Sequence, residues 1–323
     1  MLFVPTFRSS AFVTCLASAL MLSTACERDP GQAIDGGAGE GTTGRLRVEL
    51  TDAPLDDPGV EGVYLTFAGI SLDGEPLENF SARRTVDISN YRAGRTLPYG
   101  PDEVVRAGTY EGLTFSLDLQ RDASGETPGA YLTDGAGAKT ALDYGDSEAR
   151  LRIPTRFAVV AGELTELVLD VDLRRAVRRR EGGGYTLGSE ADLTAAVRLV
   201  NKRTAGSVEG EVTNHGGSTR EGLTRVVYVF ARGGASLEAV RADDFSGAIT
   251  STTVDEAGRF RLSYLPSGDY ELLVADFADQ DGDGAVELAG VRVTDAVVGA
   301  AVREMTVSAG AQVQVEVELG GML

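Results

Sequence analysis

Several residue types are rare or missing in this chain of 323 residues. It has no tryptophan, four methionines, two cysteines and one histidine. A single histidine, His215, excludes zinc sites built from Cys and His ligands and any site that needs two histidines. Cys15 lies in an N-terminal segment that we expect to be removed, so the processed chain keeps one cysteine, Cys26. An internal disulfide is therefore excluded, and packing alone must stabilise the fold.

The charge balance is strongly acidic. Lys and Arg number 30 against 49 Asp and Glu, which gives a net charge of −19. This charge repels phosphate backbones and argues against nucleic-acid partners. His215 lies in a loop sequence, Asn214 to Ser218, without a nucleophile motif nearby, so we assign no catalytic residue and predict that the protein is not an enzyme.

The first 25 residues predict a secretory signal peptide. Arg8 is their only charged side chain, and the apolar run 11–22 is too short to span a bilayer. No later run approaches the length of a membrane helix. The small residues at 23–25 lead directly into Cys26.

This junction resembles the bacterial lipobox, in which the cysteine is acylated and becomes the new N-terminus. Leu22 stands four places before Cys26, one place further than the lipobox prefers. We predict that Cys26 is lipidated and anchors the protein to an envelope membrane, of which the leaflet stays open. The alternative is ordinary cleavage, which would leave a free thiol at Cys26.

Residues 26–44 predict the lipidated cysteine and a flexible tether. The stretch after Cys26 is polar, rich in glycine and without periodicity, and its reach is roughly 23 Å. Such a tether would hold a folded body just off a membrane surface.

From Arg45 onward the apolar residues alternate with polar ones. The alternation in 45–50 recurs in 63–67, 113–119 and 167–173, and Gly, Pro and Asp clusters separate the runs. A period of two predicts half-buried strands, and antiparallel sheets with one solvated face fit it best. We therefore predict an all-β fold of two antiparallel β-sandwich domains, immunoglobulin-like or transthyretin-like, of which residues 45–205 form the first.

A second series of strands predicts another sandwich over residues 206–323. It begins at 208–212, continues through 226–230, 260–264 and 272–274, and ends with the alternating run 313–319. We expect Tyr264 and Tyr270 to point into its core, since both fall on apolar positions of the pattern.

Residues 45–200 resemble domain of unknown function 4382, a family found in bacterial lipoproteins. The resemblance rests on LTDAP at 50–54, VYLTFAGISL at 63–72, AGTY at 107–110 before the strand at 113–119, and LTELVLDVD at 164–172, in this order. The family has no established activity, so the resemblance implies export and a β fold and no particular chemistry.

Residues 206–319 resemble transthyretin-like β-sandwiches of the carboxypeptidase-regulatory type. The similar segments are GSVEGEV at 206–212, TVDEAGRF at 253–260 and LPSGDYEL at 265–272. Asp255 to Gly258 predicts a tight hairpin turn with glycine at its left-handed end. The resemblance implies a spacer or adhesive unit, and relatives with carbohydrate-binding-like folds bind glycans.

The sequence DQDGDG at 279–284 predicts a calcium site. Asp279, Asp281 and Asp283 alternate so that three carboxylates can converge on one hard cation, and a sharp turn at Gly284 would add the carbonyl of Ala285. Glu287 falls on the ninth, water-linked place of an EF-hand-like loop.

The twelfth place of that loop, which normally carries a bidentate Glu, is Gly290, which argues against a regulatory EF-hand. Asp276 or Asp295 could supply further oxygen ligands. The alternative is an acidic, glycine-rich hairpin without a metal.

The sequence predicts a non-enzymatic envelope lipoprotein that acts as a scaffold or adhesion module with a protein or glycan partner. A carbohydrate-binding surface protein is the alternative, and sugar platforms need exposed aromatic rings. Tyr64, Tyr91 and Tyr99 are the candidates for such rings. The arginines between 174 and 180 predict either a contact with phospholipids or an acidic partner, or a solvated connection.

Overall fold

A computed structural model of the chain describes residues 42–53, 55, 60–180, 183–214, 222–241, 245, 247–282, 287–292, 294 and 302–322. The predicted signal peptide, Cys26, residues 27–41 of the predicted tether and His215 lie outside these residues, so the predictions about them stay predictions.

Strands dominate the first half of the described chain, and together they form two large sheets and one small one. The strands before residue 202 are β1 (Thr43–Ala53), β2 (Gly62–Leu72), β3 (Glu75–Pro76), β4 (Arg84–Asp87), β5 (Leu97–Pro98), β6 (Glu103–Arg106), β7 (Gly108–Tyr110), β8 (Leu113–Asp118), β9 (Ala130–Thr133), β10 (Lys139–Asp143), β11 (Glu148–Ile153), β12 (Phe157–Val159), β13 (Leu164–Asp172), β14 (Val177–Arg179), β15 (Tyr185–Leu187) and β16 (Val197–Asn201). One sheet has the order β16-β13-β1-β5, and β6 also pairs with β1. A second sheet has the order β11-β8-β2-β9-β10-β15-β14, and β3 and β4 also pair with β2. The small sheet pairs β12 with β7.

The predicted alternation is confirmed in these strands. Leu46, Val48 and Leu50 of β1 are fully buried and belong to one core with Phe115 of β8 and Leu169 of β13. Charged residues occupy the opposite positions of β1, as a period of two requires.

Helices are few and short, and the all-β fold class is confirmed. The α-helices are α1 (Leu173–Ala176), α2 (Glu190–Ala195) and α3 (Leu237–Arg241), and 3₁₀ turns occur at Glu78–Phe80 and Ile88–Asn90. A reciprocal capping box starts α2, in which the Ser189 hydroxyl accepts from the backbone N–H of Asp192 and the Asp192 carboxylate accepts from that of Ser189. None of the described helices is long and apolar enough to cross a membrane.

The second half contains two facing sheets. Its strands are β17 (Gly206–Val212), β18 (Leu223–Ala231), β19 (Thr250–Thr253), β20 (Arg259–Leu265), β21 (Gly268–Ala278), β22 (Glu287–Arg292), β23 (Val302–Val307) and β24 (Gln312–Val317). One sheet has the order β20-β17-β24, and the other has the order β19-β18-β21-β22, with β23 on β21. The predicted hairpin turn is confirmed, since Gly258 has φ +83° and its N–H donates to the Asp255 carbonyl at 2.9 Å.

Strands on the two sides of residue 205 do not pair with each other in the described residues. The described residues on both sides nevertheless belong to one compact unit. That residues 45–205 and 206–323 form two separate domains therefore stays a prediction.

Among the described strands three pairs are parallel, although the alternation suggested antiparallel sheets. They are β1 with β13, β10 with β15 and β17 with β24. The alternation of buried and exposed residues is the same in both kinds of pairing, so it carries no information on strand direction. The direction follows from the path of the chain between the strands.

Polar contacts join the two halves around Arg198. Its Nε donates to Asp170 at 2.8 Å, and its Nη1 donates across to the carbonyl of Tyr264 at 2.7 Å. Tyr264 has φ +58°, is only partly buried, and donates its hydroxyl to the carbonyl of Gly94 at 2.7 Å. The prediction that Tyr264 is a core residue is therefore wrong, because it contacts the first half, whereas Tyr270 is buried in the core as expected.

We expect Arg198→Ala to lower the free energy of unfolding by about 3 kcal/mol, because it leaves the buried Asp170 without its ionic partner. Urea denaturation of the chain from residue 26 onward measures this loss. Arg203→Ala is the control, since its side chain and that of its partner Glu163 are 72% and 51% exposed and such a pair is worth less than about 1 kcal/mol. Equal losses in the two variants would contradict a stabilising role of Arg198.

Candidate metal centre

The predicted calcium loop connects two antiparallel strands. Ala278 at the end of β21 pairs with Glu287 at the start of β22. Asp279 directly follows this pair, so the hairpin itself brings the first carboxylate of the loop beside Glu287.

Local hydrogen bonds shape the start of the loop. The Asp279 Oδ1 accepts from the backbone N–H of Gly282 at 2.7 Å, and Gly282 has φ +80°, which favours glycine. The backbone N–H of Gln280 donates to Glu287 Oε2 at 3.0 Å, and the Gln280 side-chain amide donates to the carbonyl of Leu288 at 3.1 Å. The loop is therefore tied both to itself and to β22.

Three of the predicted ligands converge. One carboxylate oxygen from each of Asp279, Asp281 and Glu287 lies within 4.8 Å of the other two. Oxygens bound to one calcium ion at 2.3–2.6 Å are separated by comparable or smaller distances, so small side-chain movements could bring all three onto one ion. Asp283 and Ala285 lie outside the described residues, and their roles as ligands stay predictions.

Asp276 does not join this group. It is fully buried and accepts from Nε of Arg225 at 2.7 Å and from Nε of Arg292 at 2.6 Å, while Nη2 of Arg225 reaches its second oxygen at 3.1 Å. The suggestion that Asp276 completes the calcium site is wrong, because two guanidinium groups already occupy both of its oxygens. Asp295 lies outside the described residues.

This buried ion-pair cluster escaped sequence reasoning. Two residues in the sequence indicate this cluster: Arg225 within the otherwise apolar strand β18, and Asp276 within the apolar segment of β21. The two residues lie directly opposite each other in the pairing of these strands. Alternation within one strand cannot reveal such a partner, because the register between strands is a tertiary property.

The arginine run is engaged with the rest of the protein. Arg174 bonds to Ser251, and its guanidinium lies 4.4 Å from the ring centroid of Tyr228. Arg178 pairs with Asp192 at 2.9 Å, and Arg180 pairs with Asp143. Arg174, Arg178 and Arg180 therefore join separate elements of the fold. These three side chains do not form an unpaired basic patch.

The tyrosines named as candidates for a sugar platform are largely covered. Tyr64 stacks on Tyr131 with ring centroids 4.6 Å apart. Tyr99 is buried between Phe67 and Phe80, so the expectation that it is exposed is wrong. Tyr91 packs partly buried against the core of the first half.

A family comparison identifies the first half. Residues 43–189 match the family model described as domain of unknown function DUF4382. These residues form a DUF4382 domain. The expected resemblance over 45–200 is confirmed to that extent, and β16, which lies beyond the match, completes a sheet of this domain by pairing with β13. The resemblance of 206–319 to transthyretin-like sandwiches stays a prediction.

Other comparisons add little about function. No curated protein matches the chain. Among solved structures it is similar to the Bacillus anthracis TIE protein, with 12% identity over 86% of this chain and 34% of that one. It is also similar to BcpA, the major pilin subunit of Bacillus cereus, with 10% identity over 86% and 71%, and to GBS52, the minor pilin of Streptococcus agalactiae, with 11% over 86% and 98%. Each TM-score is 0.21, too low to carry an argument.

We expect Asp276→Asn to lower the free energy of unfolding by about 3–5 kcal/mol, because Arg225 and Arg292 would lose the buried carboxylate charge that they share. Denaturant unfolding measures the effect. Asp269→Asn is the control, since its side chain and that of its partner Arg232 are each 48% exposed and its loss should cost less than about 1 kcal/mol. A neutral Asp276→Asn variant would show that the buried cluster does not stabilise the fold.

Proposed function

We propose that this protein is an exported, lipid-anchored scaffold or adhesion module of the cell envelope, without enzymatic activity, and that calcium stabilises its second half. The observation that carries the calcium role is the convergence of Asp279, Asp281 and Glu287. Oxygen-only ligands favour calcium over zinc, and a hairpin loop with room for additional ligands favours it over magnesium.

The anchor rests on the sequence. The apolar run 11–22, the small residues 23–25 and Cys26 support export and acylation, and the glycine-rich stretch before β1 supports a tether. The predicted end of the tether at residue 44 is two residues too late, because Thr43 and Gly44 pair with β6. An anchor of this kind would place the DUF4382 domain nearest the membrane, because β1 begins at Thr43.

The pairing of charged side chains in the largest cleft described below supports a role without catalysis. A wide cleft of about 1010 Å³ is lined by residues of the second half together with Arg92 and Ala93 of the first, and charged side chains on its walls pair with each other, such as Arg261 with Glu209 and Arg259 with Asp255. Charged groups that neutralise one another in this way stabilise a surface and are poorly placed to act as a general acid or base.

We expect calcium to stabilise the wild-type chain from residue 26 onward more than the Asp281→Ala variant. A loop without the twelfth-place Glu predicts a Kd of ~10⁻⁴–10⁻³ M, and at ten times that concentration calcium adds about 1.4 kcal/mol. Thermal melts with calcium and with chelator measure the difference. Glu256→Ala, in another exposed hairpin turn, should respond as the wild type does. An equal calcium response in Asp281→Ala and wild type would leave the loop as an acidic hairpin without a metal.

We expect the mature N-terminus to be an acylated Cys26. Mass spectrometry of the protein purified from bacterial membranes tests this, and Cys26→Ser should release the protein from the membrane fraction. An unmodified cysteine at residue 26 would refute the lipid anchor and leave the calcium proposal unaffected.

A further inference from the structure

Exposed apolar side chains collect at the end of the first half where β1 begins. Among the described residues three large apolar side chains are exposed, Val104, Val160 and Met322. Val104 lies opposite Arg45 in the pairing of β6 with β1. Val160 lies against the preceding residue, since a Cβ built on Gly44 would be 2.4 Å from the Val160 carbonyl oxygen. Two of the three exposed side chains therefore flank the first residues of β1.

Direct contacts continue from this end of β1 into the second half. Four of them follow one another along the surface: Ala107 N–H to the Thr42 carbonyl at 2.8 Å, Gly162 N–H to the Thr43 carbonyl at 2.9 Å, Arg203 to Glu163 at 3.3 Å, and Gly310 N–H to the Thr204 carbonyl at 3.1 Å. These contacts join residues 42–45, 104–107, 160–163, 203–204 and 310 into one continuous surface, which we call the terminal rim.

The terminal rim is open and partly apolar. Val104 is 63% exposed and Val160 is 44% exposed. The small residues Ala161, Gly162 and Gly310 beside them are exposed as well, so another surface can approach the backbone closely. Single exposed apolar side chains are ordinary on a soluble protein, and it is their concentration at one end that points to a partner.

The terminal rim also differs from the rest of the protein in charge. Its charged residues are Arg45, Arg106, Arg203 and Glu163, a positive balance within a chain of net charge −19. Arg203 pairs with Glu163, and Arg45 pairs with the neighbouring Asp102. Arg106 is exposed and lies two residues after the exposed valine of β6, on the same face of the strand. A basic side chain beside an apolar one suits the boundary between anionic headgroups and acyl chains.

The predicted tether joins the fold at this rim. Residues 27–41 separate Cys26 from Thr42, and a flexible stretch of that length has a root-mean-square reach of about 20 Å. A short flexible linker raises the effective concentration of the tethered surface to the order of millimolar. A contact between the rim and lipid that is weak by itself would therefore be occupied once Cys26 is anchored.

We propose that the terminal rim rests on the membrane that holds Cys26, with Val104 and Val160 at the level of the headgroups and Arg106 beside anionic lipid. This inference rests on the lipid anchor proposed above. It gives the protein a defined orientation, in which the other end of β1 and β13, about 26 Å further along the strands, faces away from the membrane.

The test uses the chain from residue 26 onward, in which Cys26 is the only thiol and tryptophan is absent. Maleimide coupling of Cys26 to a lipid in vesicles of phosphatidylcholine and phosphatidylglycerol anchors the protein chemically. Val160→Trp then places one fluorophore on the rim. We expect its emission to shift to the blue and to lose intensity when the acyl chains carry bromine. Adding Arg106→Ala should weaken the contact about fivefold, since one basic residue at an anionic surface contributes about 1 kcal/mol.

Ala191→Trp is the control. Ala191 is exposed on α2, which lies at the other end of β13, where the Asp172 N–H donates to the carbonyl of Ala196 at 2.7 Å. Its fluorophore has the same anchor, and its emission should not change.

The proposal is overturned if bromine quenches the two tryptophan variants equally or leaves Val160→Trp unquenched, and the second result would leave the rim to a protein partner. Because the coupling is chemical, failure of the rim contact is distinct from failure of the natural anchor, which mass spectrometry of Cys26 detects. Circular dichroism establishes that each variant is folded.

Discussion

The parallel pairing of β1 with β13 is the constraint on which the rest of the structure depends. It aligns Arg45 with Leu164 and continues without a shift to Ala53 and Asp172. One face of the pair supplies leucines and valines to the core of the first half. The other face carries charged residues, of which Asp170 is held by the arginine that also contacts the second half. A shift of one residue would exchange these two faces and would remove both the core and the contact.

The distribution of charge within the fold is less simple than a net charge of −19 suggests. Carboxylates are buried in both halves, and guanidinium groups neutralise most of those described above, as at Asp170 with Arg198 and at Asp276 with Arg225 and Arg292. A planar guanidinium can donate two hydrogen bonds to one carboxylate, which makes arginine the suitable partner in a buried position. Asp52 departs from this pattern, because both of its oxygens are buried and accept no hydrogen bond.

The carboxylates of the candidate calcium loop and the buried carboxylates differ in how far sequence reasoning could reach them. The loop at Asp279 was predictable because its ligands are close in the chain and their spacing alone places them together. The additional ligand expected at Asp276 was wrong, because the arginines that occupy it come from other strands. Asp52 and Asp172 are far apart in sequence, and only strand pairing brings them to one edge. Their sequence setting, at the ends of apolar runs, gave no sign that their oxygens would be buried.

The sequence by itself determined the all-β class, most strand positions, the hairpin turn at Gly258 and the resemblance to the DUF4382 family. Each of these depends on residues that are adjacent or alternate in the chain, where local sterics and burial decide the structure. The tertiary structure decided the strand directions, the role of Tyr264 between the halves and the partners of the buried carboxylates Asp170 and Asp276. Those features depend on which strands become neighbours and in which register, and a pattern that repeats every two residues is the same for every choice of neighbour.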